Sequence, residues 1–74
     1  MWKFILTHHA KRRMRERGIS LPQVRKVVDD SLRIKKQKDD KIEVVGRLDG
    51  GRLLCVVYEK LGDRIIIVTT FYGS

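Results

Sequence analysis

His9, Arg13 and Arg17 stand four residues apart, so on a helix they share one ridge. An imidazole can carry a proton, and a guanidinium can hold a phosphate with two parallel hydrogen bonds. Together they suit a site that binds and cleaves a phosphate ester. The ordinary reading of each is structural: a helix-start histidine bonded to a strand, and arginines that pair with Asp29, Asp30 or Glu59. By spacing, Arg13 favours the phosphate role. Arg17, nearest the seam of Ala10 and Met14, favours the structural one. His8 competes with His9 for the same chemistry, and Arg12, with Lys11 and Arg15, lies on the solvent side, where cations steer a nucleic-acid backbone. A second basic cluster, Arg33, Lys35, Lys36, Lys38 and Lys41, reads as an edge strand guarded by charge and as a second nucleic-acid track. Tyr72 and Phe71, on alternate faces of the last strand, divide between stacking or proton donation and core closure. Core closure is the expectation for Phe71.

The elements that must position these residues follow from local signals. Trp2, Phe4 and Leu6 alternate with Lys3 and Ile5, the pattern of a first strand. Thr7 can cap a helix that Gly18 ends, with Ile19 folding back on it. Ser20-Leu21-Pro22-Gln23 has the spacing of a capping box and opens a second helix to about Asp30, with Val24, Val27 and Val28 as its buried stripe. The connection is short, so the helices are expected to pack against each other as a hairpin. Strands follow over Leu32 to Lys38, Ile42 to Leu48, Leu53 to Glu59 and Ile65 to Tyr72, separated by turns at Asp39-Asp40, Asp49-Gly50-Gly51 and Leu61-Gly62-Asp63. The predicted order is β-α-α-β-β-β-β in one domain over residues 1–74. This is an α+β fold: an N-terminal strand and a two-helix hairpin on a twisted, mostly antiparallel sheet of four to five strands.

Seventeen Lys and Arg against nine Asp and Glu leave a net charge of +8. On so small a surface that excess favours nucleic acid or an acidic protein. No stretch has the length of a transmembrane helix, Trp2 to Leu6 is too short for a signal peptide, and no lipidation motif is present, so a membrane partner is not expected. Cys55 is the single cysteine, which excludes an internal disulfide and makes the cytoplasm the expected location. Within Leu53-Leu54-Cys55-Val56-Val57 it reads as a buried apolar residue. His8 and His9 face different ways and have no carboxylate or thiol at ligand spacing, and no phosphate-cradling glycine loop exists. Neither a metal nor another cofactor is expected.

The run His9-Ala10-Lys11-Arg12-Arg13-Met14-Arg15-Glu16-Arg17-Gly18-Ile19 resembles the opening of the family known as domain of unknown function 4258. Gly46-Arg47 before Asp49-Gly50, and Ile67-Val68-Thr69-Thr70-Phe71-Tyr72 at the end, are similar to the rest of that family's pattern. The resemblance implies a fold shared with the RelE, ParE and BrnT toxins, of which the RelE and BrnT relatives are ribonucleases and the ParE relatives are not. It implies His9, Arg13, Arg17 and Arg47 as the polar signature. The expectation is then a toxin acting as a metal-independent endoribonuclease, a monomer or small oligomer with RNA as substrate and an antitoxin protein as partner. His9, Arg13, Arg47 and Tyr72 would be catalytic, and His8, Arg12, Arg17, Lys35, Lys36 and Lys38 would bind nucleic acid. The alternative is a non-enzymatic basic module that docks nucleic acid or an acidic protein.

Overall fold

The computed structural model describes residues 3–36 and 39–73, so Trp2 of the expected first strand and Lys38 of the second basic cluster lie outside the described residues. The elements are β1 (Lys3–Leu6), α1 (His8–Arg17), α2 (Leu21–Asp29), β2 (Arg33–Lys36), β3 (Lys41–Arg47), β4 (Leu53–Leu61) and β5 (Arg64–Tyr72). Class and element order are as predicted. One five-stranded sheet runs β1-β5-β4-β3-β2; β1 is parallel to β5 and every other pairing is antiparallel.

Local chemistry sets the helix ends. The Thr7 hydroxyl accepts from the Ala10 amide at 3.1 Å, and the Ile19 amide returns to the Met14 carbonyl at 2.8 Å past the left-handed Gly18. Ile19 and Met14 are both buried, which is the apolar contact that such a stop brings with it. Ser20 and Gln23 form the full reciprocal capping box at the start of α2. Thr7 has a second task. Its hydroxyl donates to the carbonyls of Ile67 and Val68, and its amide donates to Ile67, so the cap of α1 is pinned to β5 where β1 leaves off.

Both helices lie on one face of the sheet. They do not pack mainly on each other, as the short connection suggested; α1 rests on β5, while α2 rests on β3 and β4. The sheet offers a wider apolar surface than a neighbouring helix does, and its row of Val44, Leu54, Val56, Ile65 and Ile67 takes in Ala10, Met14, Val24 and Val27. Gly46 permits the closest approach. A β-carbon there would lie 2.9 Å from a methyl of Val27, so only glycine lets α2 settle on β3.

Between Val57 and Tyr58 the register of β4 on β5 shifts: Val57 faces Thr69, Tyr58 faces Ile67, and Val68 is the extra residue. A bulge of this kind exchanges the faces of everything beyond it. Ile65 and Ile67 point to the helices, but after the bulge it is Thr70 and Tyr72 that do so, opposite Val56 and Leu54. The expectation that Phe71 closes the core is therefore overturned: Phe71 pairs with Cys55 on the face that carries no helix. Cys55 is buried there, and burial with the nearby Glu43 carboxylate raises its thiol from the ordinary 9.0.

Thr70 is fully buried, and its hydroxyl has no hydrogen-bond partner among the described residues. An unpaired buried hydroxyl is destabilising, and valine has nearly its shape. Thr70→Val is expected to raise stability by about 1 kcal/mol, read as a higher urea midpoint with unchanged slope.

Candidate functional site

Beyond Leu6 no strand of the described residues lies beside the outer edge of β5, and α1 runs there instead. Between them opens a cleft of about 720 Å³ lined by His9, Arg13, Arg17, Arg52, Thr69, Phe71 and Tyr72. Three elements supply it. The Thr7 cap sets His9 in the first turn of α1, with Arg13 and Arg17 following one and two turns later on the same ridge. The bulge turns Thr69 and Phe71 to the cleft side of β5. The β3–β4 hairpin, whose turn is closed by the Gly51 amide on the Leu48 carbonyl at 3.0 Å, delivers Arg52.

The guanidinium groups are held to different degrees. Arg17 donates to the Thr70 carbonyl at 3.1 Å, while the Tyr72 hydroxyl donates to the Arg17 carbonyl, also at 3.1 Å. This reciprocal pair fastens the last turn of α1 to the end of β5 and satisfies a helix-end carbonyl. The central guanidinium carbon of Arg52 lies 3.7 Å from the centre of the Tyr72 ring, in cation–π contact. Among the described residues Arg13 pairs with Glu16 alone, at 3.3 Å, with both side chains substantially in solvent. Such a surface pair is weak, so Arg13 is free to exchange Glu16 for a stronger anion. Among the described residues no carboxylate lines the cleft; the one acid paired with a cleft cation is Glu16, outside the lining.

Of the residues picked from the sequence, the fold brings His9, Arg13, Arg17 and Tyr72 together. Arg17 meets a strand carbonyl, not the acidic partners that spacing suggested. The hydroxyl of Tyr72 is engaged with Arg17 and its ring carries Arg52. His8 and Arg12 are exposed on α1 outside the cleft lining. Arg47 is exposed and pairs with Leu53 on the helix-free face, also outside the lining. Lys35 and Lys36 belong to β2 at the far edge of the sheet and point to opposite faces, since Lys35 pairs with Glu43 and Lys36 with Ile42.

Sequence reading missed Arg52 and Thr69 as cleft residues. A signal for Arg52 was present, because an arginine flanks the Asp49-Gly50-Gly51 turn on each side and only one of the two can lie beside the last strand. Thr69 had none, because its face depends on the bulge. Among the described residues no group of three or more His, Cys, Asp or Glu side chains is placed to hold a metal ion, and no helix is long and apolar enough to cross a membrane.

The family model described as "Domain of unknown function (DUF4258)" matches residues 6–72. Comparison with curated proteins gives no match. Among solved structures, the 1.1 Å crystal structure of the Brucella abortus ribonuclease toxin BrnT superposes with a TM-score of 0.75, covering 100% of this chain and 99% of that one at 14% identity. At that identity the likeness is one of fold.

Proposed function

This chain belongs to the DUF4258 family, and from that premise we propose that it is the toxin of a toxin–antitoxin pair and a metal-independent endoribonuclease. The observation that carries this reading is the cleft itself, where an imidazole and three guanidinium groups converge and, among the described residues, no carboxylate is part of the lining. The fold shared with a protein described as a ribonuclease toxin supports it. The nucleophile is the 2′-hydroxyl of the RNA, which attacks the adjacent phosphorus as the 5′-oxygen leaves. His9 moves a proton in that step. Arg13 and Arg52 hold the phosphate oxygens as negative charge builds on them. Arg17, tied to Thr70, keeps the ridge in place, and Tyr72 acts as the platform on which Arg52 lies. Phe71 offers a face on which a base can stack. The setting is the cytoplasm, and an acidic antitoxin is the partner that silences the protein.

The assignment of Arg52 is testable against Arg47. With a single-stranded RNA oligonucleotide in EDTA, Arg52→Ala is expected to lower cleavage by on the order of a hundredfold, the usual loss when a donor to a developing anion is removed. Arg47→Ala should stay within about twofold of the parent. The reverse ranking would move the phosphate site to the helix-free face of the sheet. A second reading, a non-enzymatic binding module, draws on the engagement of Arg17 and Tyr72 in structural hydrogen bonds. Under that reading the parent shows affinity for RNA without turnover.

A further inference from the structure

β2 lies at the edge of the sheet, paired only with β3. All of its residues are exposed. Leu32, just before it, and Ile34 within it are 63% and 69% exposed, the two most exposed large apolar residues of the described chain. Register sorts the strand into two faces. Ile34 pairs with Val44 and so stands on the helix-bearing side, as does Leu32 two residues earlier; Arg33 and Lys35 pair with Val45 and Glu43 on the other side. α2 rests on β3 and β4, and Ile34 of β2 stays 69% exposed beyond it. The edge therefore presents an apolar row, a cationic row and the outward backbone groups of a strand with one neighbour.

We propose that the β2 edge receives an extended acidic segment of a partner protein as a sixth strand, with apolar and acidic residues alternating. Such a segment answers all three features together: backbone pairs with backbone, apolar side chains cover Leu32 and Ile34, and carboxylates lie beside Arg33 and Lys35. A second copy of this chain fits poorly, because β2 against β2 sets like charges side by side on a molecule of net charge +8. RNA fits poorly as well: its phosphates meet the cations but leave Leu32 and Ile34 in water and cannot continue a strand's hydrogen-bond ladder. An edge guarded only by charge has no use for two large exposed apolar side chains. The proposal deepens the partner half of the function proposed above and rests on it only for the partner's role; the edge accepts the segment whether or not the cleft turns over RNA.

The test uses the full chain and a fluorescent ten-residue peptide of alternating valine and glutamate, with a valine–lysine peptide and a short single-stranded RNA as comparisons. The acidic peptide is expected to bind. It should slow amide hydrogen exchange at residues 33–36 by at least about tenfold, while exchange in α1 is unchanged. Ile34→Glu should weaken the peptide at least about tenfold, as should the charge reversal Arg33→Glu with Lys35→Glu. Both sites are in solvent, and Ile34→Thr serves if the glutamate variant misfolds. No slowed exchange at residues 33–36, equal binding of the basic peptide, or RNA protecting those amides with Ile34→Glu silent would each overturn the proposal. RNA cleavage by the same preparation reads the cleft separately, so an active enzyme with an unoccupied edge refutes the edge alone.

Discussion

His9→Ala is expected to lower the rate of RNA cleavage by about a hundredfold, the usual loss when a positioned acid or base is removed. The side chain lines the cleft from the first turn of α1 and is exposed, so its removal leaves the packed face of Ala10 and Met14 intact. Alanine is also a better helix former than histidine. The loss should fall on kcat, with KM and melting temperature little changed, because the phosphate is gripped by Arg13 and Arg52. Cleavage of end-labelled single-stranded RNA in EDTA measures it, and the products should carry cyclic or 3′-phosphate ends. His8→Ala is the paired control and should be nearly silent, since His8 is outside the cleft lining. Full activity in His9→Ala would remove the imidazole from the mechanism.

The largest expected loss of stability comes from Ile67→Ala. Ile67 is fully buried, pairs with Leu6 on one side and Tyr58 on the other, and offers its carbonyl to Thr7. It is the point at which β1, β5 and the cap of α1 meet. Truncating such a side chain costs about 2–5 kcal/mol. A domain of this size has roughly 4–11 kcal/mol in all, so the variant should lose a large part of it. The melting temperature should fall by at least about 10 °C in a circular-dichroism scan. Cys55 supplies a second readout. Its thiol is buried and held above its ordinary pKa, so it should react slowly with a thiol reagent in the parent and markedly faster in Ile67→Ala.

What could be read without the structure was what neighbours in sequence decide. Thr7, Gly18 and the Ser20–Gln23 box act over three or four residues, and each forms its expected contact. The His9-Arg13-Arg17 ridge was legible for the same reason, since helical periodicity alone aligns it. Pairing across the chain was a different matter. β1 lies parallel to β5, sixty residues away, and no local pattern states that. Arg47 and Arg52 flank one turn and differ only in which of them meets the last strand, a long-range fact. Phe71 was expected to close the core, which is where strict alternation along β5 from Ile65 would put it. That rule fails once Val68 adds a residue.

The bulge at Val68 makes the cleft a matter of counting. Val68 itself lines no part of the site. Were it paired into the ladder instead of bulged, alternation from Ile67 would send Thr69 and Phe71 inward and bring Thr70 and Tyr72 out. Arg52 would then lose the ring beneath it, and the last turn of α1 its tether. Removing Val68 altogether changes none of these faces, because Thr69 then follows Ile67 directly. Among descendants of such a chain, loss of that codon would be tolerated, whereas one extra codon between Thr69 and Tyr72 would turn the end of β5 over.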